Sequence, residues 1–300
     1  MSEPIGIIGL GRTGFAVAKA YLKEGYEIFG CDINMAALKE FASAGGKPLQ
    51  SPEEVARHSK VILVMVLNDE QVTEVFTGKN GLLTGVRSGS TIICMSTVNH
   101  STIESVSMQC KEKKAGFIDC PFTGGSQRIA SRSLTLIAAA SPEILDRVRN
   151  ILEVIGKVVH AGNQPGQGQA IKHCNQLLVG ATHAATMEVI TMARKLGLDP
   201  SLVVSVAASG IAGSDYFRLL SESVLRKTPS PGGLGQMCKD MAIVKNTLNE
   251  IGMTAYVASA AAEYFSAARK LGMSEREGAD LIEVVESIVN KGQVKIKGNL

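Results

Sequence analysis

The 300 residues are 45% hydrophobic and 20% charged, with a net charge of +3. That length and apolar content allow a sizeable core, split over two ordinary domains, and exclude a disordered chain. Near-balanced charge offers no nucleic-acid or membrane surface, and the longest apolar run, Val61 to Leu67, is far too short to cross a bilayer.

The first half alternates short β-rich runs with helical patterns. Ile5–Ile8, Glu27–Cys31, Val61–Leu67, Thr91–Met95, Gly116–Asp119 and Leu134–Ala138 read as strands buried on both faces. Between them Thr13–Glu24, Met35–Ala44, Glu70–Phe76 and Thr102–Lys113 have helical spacing, which predicts a parallel sheet flanked by helices. Pro142–Ile155 continues as helix and Lys157–His160 as a last strand. The turn-forming Gly162-Asn-Gln-Pro-Gly166 places a domain boundary, giving 1–163 and 164–300. Beyond it nearly every segment is helical. Gly168 to Leu196 has no proline and predicts one helix of about 29 residues, roughly 44 Å long. Gly197 ends it and Pro200 starts the next. Leu202–Ala208, Ser214–Leu225, Gly235–Ile251, Thr254–Leu271 and Ser274–Val289 follow. The fold class is therefore α/β, a doubly wound sheet followed by an all-α domain that associates into a homodimer or homotetramer.

The opening Met1-Ser-Glu-Pro lacks the basic start and cleavage site of a signal peptide. The six cysteines are scattered without any Cys-x-x-Cys pair, so they are expected to be reduced and mostly buried in a cytoplasmic protein. His173, Cys174 and His183 have no partner at a metal-ligand spacing, and no metal is expected.

Gly9-Leu10-Gly11-Arg12-Thr13-Gly14 follows the first strand directly and opens the first helix. Gly9 allows the tight turn, Gly11 lets backbone approach a pyrophosphate, and Gly14 permits close helix–strand packing. The helix N-terminus adds unpaired N–H groups for phosphate. Asp32, at the end of the second strand, accepts hydrogen bonds from the ribose hydroxyls of NAD and repels a 2′-phosphate. Ile33 and Asn34 supply no cation to reverse that choice, and Arg12 is the nearby cation that softens it. NAD is expected ahead of NADP.

Phe117-Ile-Asp-Cys-Pro-Phe-Thr-Gly-Gly125 ends a strand in a Thr-Gly-Gly turn able to grip an anion. With Gly9–Gly14, Ser96-Thr97, Lys172-x-x-Asn175 and Lys239-Asp240, in that order and spacing, the chain resembles the β-hydroxyacid dehydrogenases, which include 3-hydroxyisobutyrate, tartronate semialdehyde and threonate-type enzymes. The resemblance covers nearly the whole chain. It implies that Thr123, Gly124 and Gly125 hold a substrate carboxylate, in a turn that also includes Asp119 and Pro121. It further implies that Lys172 is catalytic, that Asn175 orients substrate, that Thr97 and Lys239 contact the cofactor, and that Val66 and Leu67 pack by the dinucleotide. The chain departs from the family pattern in four places: Thr13 for methionine, Arg132 for glycine, the Gly232-Gly233 stretch where an aromatic often lines the pocket, and Gln176 for a second asparagine. They leave the cofactor and proton-transfer residues in place and put the standard small substrate in question.

Residue chemistry agrees with this resemblance. Oxidising a hydroxyl needs a base at its oxygen, and a partly desolvated lysine beside a positive nicotinamide has a lowered pKa and exchanges that proton. Asn175, one turn on, shares its helix face. His173 points about 100° away and is left out. Without the resemblance, Lys172 and Asn175 also read as an ordinary polar helix face. Two further readings share the architecture: an imine or other carbonyl reductase, and a cofactor-binding scaffold without catalysis.

Overall fold

A computed structural model describes residues 3–124, 128–129 and 131–291. The chain divides into two compact units, 1–172 and 173–300.

In the first unit β1 (Ile5–Ile8) leads into α1 (Arg12–Lys23), β2 (Ile28–Cys31), α2 (Met35–Ser43), β3 (Lys47–Pro48), α3 (Pro52–His58) and β4 (Val61–Val64). Next come α4 (Asp69–Thr77), α5 (Leu82–Gly85), β5 (Thr91–Cys94), α6 (His100–Glu112) and β6 (Gly116–Asp119). The unit closes with β7 (Phe122–Thr123), β8 (Leu134–Ala139), α7 (Pro142–Leu152) and β9 (Gly156–Gly162). The sheet order is β3-β2-β1-β4-β5-β6-β8-β7, with β9 also paired to β8. From β3 to β6 every pairing is parallel, as the buried apolar runs predict. β8 then reverses, antiparallel to both β6 and β7.

Period-two alternation distributes the strand residues over two cores. Ile5, Ile7, Leu63 and Ile93 join one apolar cluster, while Ile8, Ile62, Val64 and Ile92 join another. Each such side chain contributes about 1.5–3 kcal/mol by leaving water. The expected strand over Val61–Leu67 stops at Val64, because Val66 turns to exchange hydrogen bonds with the Ser96 hydroxyl, N to Oγ at 3.1 Å and Oγ to O at 2.7 Å. α3 was not expected. Ser51 Oγ accepts from the Glu54 N–H at 3.2 Å, Glu54 Oε2 accepts from the Gln50 N–H at 2.8 Å, and Pro52 sits in the first turn. That reciprocal cap stabilises a helix too short to show periodicity.

α8 (Gln167–Lys195) is 29 residues long and begins in the first unit. In the second unit it is followed by α9 (Pro200–Ser209), α10 (Asp215–Arg226), α11 (Leu234–Glu250), α12 (Tyr256–Lys270), a 3₁₀ turn at Gly278–Asp280 and α13 (Leu281–Lys291). Its core contains Met187, Leu220, Leu234, Phe265 and Val285. α9 is apolar in composition, yet none of its residues is buried. His183 is wholly buried, with Nε2 3.0 Å from the Gly278 carbonyl and Nδ1 3.0 Å from the Tyr216 hydroxyl. A carbonyl only accepts, so Nε2 carries the proton and the ring is neutral; burial pushes its pKa down to about 4, against a small upward pull from Gly278.

Cys31, Cys94, Cys110, Cys120 and Cys238 are buried and Cys174 is exposed; all six are free thiols. Burial pushes Cys31, Cys94 and Cys110 up to about 12. Among the described residues no helix is long and apolar enough to cross a membrane.

Candidate active site

The carboxyl ends of β2, β1, β4 and β5 lie side by side because these strands are parallel and adjacent. β1 is the strand at which the winding reverses, and open parallel sheets take ligands at that point. Its first turn is built for close approach. Gly9 has φ +94°, and a Cβ there would stand 2.5 Å from the Met65 carbonyl oxygen. A Cβ on Gly14 would meet the Gly9 carbonyl oxygen at 1.9 Å, so only glycine lets α1 press onto the turn. Gly11 caps α1 without a side-chain bond, so the first-turn N–H groups have no side-chain cap, and nothing lies within 4 Å of its would-be Cβ, so a ligand can approach the backbone closely there.

Asp32 is fixed from both sides. Leu10 N–H donates to Oδ2 at 2.6 Å and Asn34 N–H donates to Oδ1 at 2.7 Å. The carboxylate is thus oriented by backbone while keeping lone pairs for a diol. Asn34 spends its own Oδ1 on the Ala36 and Ala37 N–H groups that open α2. Arg12 is exposed and Thr13 half-buried in the first turn of α1. Val66 and Leu67 follow β4, Leu67 with its N–H donating to Gln71 Oε1 at 2.8 Å. Half-buried Thr97 follows β5. Gly9–Gly14, Asp32, Val66, Leu67 and Thr97 thus share one edge of the first unit, and a dinucleotide fits it: bare backbone donors for phosphate, a held carboxylate for ribose, and apolar side chains between.

Thr123 pairs with Thr135 of β8, and Gly124 follows with φ +123° and Arg128 Cδ 3.1 Å from its would-be Cβ. Gly125 lies outside the described residues. Arg132, where the family pattern has glycine, keeps the left-handed backbone (φ +53°) and pairs with Glu24.

Asp119, which the resemblance groups with the Thr-Gly-Gly turn, points instead into the start of α8. Its Oδ2 accepts from the Gly166 N–H at 2.8 Å and the Gln169 N–H at 3.0 Å, and its Oδ1 accepts from Gln169 Nε2 at 2.9 Å. Burial pushes this carboxyl up, and the donors from Gln169, Gly166 and Gly168 pull it back down. Gln169, fully buried, was not singled out in the sequence; its place three residues before Lys172 was the only signal. Lys172 is buried, 7% exposed.

In the second unit Asn175 is half-buried, with an Oδ1 that has no hydrogen-bond partner among the described residues. Gln176 Nε2 donates to Asp240 Oδ2 at 2.6 Å, and Lys239 Nζ lies 2.7 Å from Asp240 Oδ1. Lys239 and Gln176 are thus brought together by the buried carboxylate of Asp240. His173 is buried against Thr247, Nδ1 to Oγ1 2.9 Å. A Cβ on Gly232 would meet only Gln236 Oε1, at 3.9 Å, so that position is open. Among the described residues no group of His, Cys, Asp and Glu could hold a metal ion.

The first unit is a dinucleotide-binding domain in its strand order and in its glycine turn. Residues 4–162 match the family model described as the NAD binding domain of 6-phosphogluconate dehydrogenase, and residues 166–285 match the one described as NAD-binding of NADP-dependent 3-hydroxyisobutyrate dehydrogenase. The chain belongs to the β-hydroxyacid dehydrogenase family, NAD(P)-dependent enzymes that act on a CH–OH group. It is similar to an L-threonate dehydrogenase of Cupriavidus necator, 29% identical over 98% of this chain and 100% of that one. It is also similar to the mitochondrial 3-hydroxyisobutyrate dehydrogenase of Mus musculus, 28% identical over 93% of this chain and 86% of that one. A solved structure of a 3-hydroxyisobutyrate dehydrogenase from Salmonella typhimurium shares the fold, with TM-score 0.87 and 24% identity over 94% of this chain and 100% of that one.

Proposed function

We propose that this chain oxidises a small 3-hydroxy acid of 3-hydroxyisobutyrate, tartronate semialdehyde or threonate type, reversibly and with NAD, to the oxo acid or semialdehyde. The observation that carries the reading is on α8: a buried Lys172 and, one turn on, an Asn175 whose buried Oδ1 has no hydrogen-bond partner among the described residues. An orphaned buried acceptor costs about 1–3 kcal/mol, a cost that a substrate hydroxyl removes.

A bound nicotinamide would supply the acceptor for the hydride of the carbinol carbon. Lys172, as the neutral amine, takes the hydroxyl proton and becomes an ammonium; in reverse it returns that proton to the carbonyl oxygen. Asn175 orients the substrate. The Thr123 hydroxyl and the N–H groups of Gly124 and Gly125 hold its carboxylate. Gly9, Leu10, Gly11, Arg12, Thr13 and Gly14 take the pyrophosphate, Val66 and Leu67 pack beside the cofactor, and Thr97 and Lys239 contact it. Asp32 takes the ribose hydroxyls. NAD is favoured because Asp32 is a held carboxylate, Ile33 is apolar, and Asn34 is spent as a helix cap. Residues 1–163 serve the cofactor, while 164–300 serve substrate and self-association into a homodimer or homotetramer, which the unburied apolar α9 supports.

A panel of hydroxy acids including 3-hydroxyisobutyrate and L-threonate, assayed with NAD and with NADP by reduced-nucleotide absorbance, tests this reading. Turnover of at least one acid, better with NAD, is expected. Tight NAD binding without turnover of any acid would instead make the chain a scaffold, and turnover of imines alone would make it an imine reductase.

A further inference from the structure

Gln169 uses every polar atom of its amide. Nε2 donates to the Ser96 carbonyl at 3.0 Å and to Asp119 Oδ1 at 2.9 Å, while Oε1 accepts from the Val98 N–H at 3.1 Å. Two acceptors on one side and a donor on the other fix which end is nitrogen. The Ser96 carbonyl and the Val98 N–H belong to the peptide units on either side of Thr97, so one side chain closes a bracket around that residue. The same amide ties back to Asp119, which also holds the Gly166 and Gln169 N–H groups and so caps α8 from outside its own sequence. Gly168 completes the seat: a Cβ there would stand 2.7 Å from the Ile137 carbonyl oxygen and 2.9 Å from Asp119 Oδ2. α8 can therefore enter its first turn only pressed against the sheet.

We propose that Gln169 is a positioning residue that locks Thr97 and the Lys172 turn of α8 into one rigid piece, so that the proton-transfer amine keeps a fixed place relative to the cofactor-side loop. The proposal rests on the role given above to Lys172 and goes beyond it. Neither Gln169 nor Asp119 touches the reacting atoms; they act through Lys172 and Thr97. Buried networks of this kind are rigid when every member is satisfied and lose that rigidity when one is removed.

The test uses the full-length chain carrying Gln169→Met, which keeps length and volume and removes the amide. Trinitrobenzenesulfonate labelling followed by peptide mapping reads Lys172 without any substrate, with exposed Lys39 and Lys79 as internal references. Local opening of the turn should raise Lys172 labelling by about tenfold against the references, in protein that is still cooperatively folded at the labelling temperature. With NAD and L-threonate or 3-hydroxyisobutyrate, kcat should fall about tenfold to a hundredfold while the NAD Kd holds, as for a misplaced catalytic group. In a Lys172→Ala background the same substitution should cost nothing further. Gln169→Glu gives an independent reading, because its carboxyl donates to Asp119 only when protonated. Its Lys172 labelling relative to the unmutated chain at the same pH should grow as pH rises, whereas that ratio for Gln169→Met should not change with pH. Wild-type labelling in folded Gln169→Met, or a full additional loss in the double variant, would overturn the proposal. Wild-type hydride transfer by Lys172→Ala would sink the catalytic reading instead, and labelling would still judge the bracket.

Discussion

The sheet edge at Gly9–Asp32 and the polar side chains of α8 and α11 are given contacts with a small molecule in the proposed function, and they would make them with different atoms. At the edge the work is done by backbone: missing Cβ atoms at Gly9 and Gly14, bare N–H groups at the start of α1, and two N–H groups aiming Asp32. On the helices it would be done by side chains: Lys172, Gln176 and Asp240 are buried, Asn175 has a buried Oδ1, and Lys239 is half-buried against Asp240, so each polar end must be matched one by one. Backbone contacts are set by turn geometry and recur wherever that geometry does. Side-chain contacts are set by identity, and one exchange removes a function outright.

The sharpest break in that comparison is Lys172→Ala. Loss of a general acid–base group typically costs about 10²–10⁴-fold, so kcat should drop by that range while NAD affinity, owed to the sheet edge, stays nearly constant. Asn175→Ala should cost less, since it moves no proton. Single-turnover hydride transfer with titrated NAD binding measures both, and a wild-type transfer rate in Lys172→Ala would end the assignment.

His183 tests the helical unit by pH. Its pKa is held near 4 in the fold against 6.5 outside it, so its contribution is complete above pH 6.5 and is lost as pH falls toward 4. The loss is about 3 kcal/mol at 1.36 kcal/mol per pKa unit. Urea unfolding followed at a series of pH values should show this slope, and His183→Gln should flatten it. An unchanged slope in the variant would assign the acid sensitivity to other groups.

Asp32→Ala probes the edge more gently. Removing the carboxylate takes away ribose hydrogen bonds of about 1.5–3 kcal/mol and the repulsion of a 2′-phosphate, so the NAD preference should erode by roughly tenfold or more. Equal NAD and NADP affinity in the unmutated chain, measured by titration, would remove the basis for the preference.

The smallest effect is expected at Gly124→Val. A side chain at φ +123° beside Arg128 disturbs the turn without touching Lys172, and should raise KM a few-fold more than it lowers kcat. Equal turnover of the uncharged alcohol analogue by the unmutated chain would show that the turn has another role.

Legibility in the sequence follows the same division. The glycine turn, Asp32 and the length of α8 could be read because spacing, strand context and freedom from proline are local properties. α3 was equally local, written in Ser51-Pro-Glu-Glu, and was passed over because seven residues are too few for a periodic signal. The contacts of Asp119 and Gln169 were out of reach: a carboxylate ending a strand and a glutamine about 50 residues later carry no mark of each other. Their partnership depends on β6 ending beside the start of α8, a fact of topology. The grouping of Lys239, Asp240 and Gln176 was hidden likewise, since it joins α8 to α11.

Five of the six thiols are shut away and Cys174 alone is exposed, two residues beyond Lys172 on the same helix. The native chain therefore arrives with a single-site chemical handle. A maleimide fluorophore or spin label should attach at that one sulfur without any cysteine being engineered out, placing a spectroscopic reporter on the outer face of α8, about 200° around the helix from Lys172.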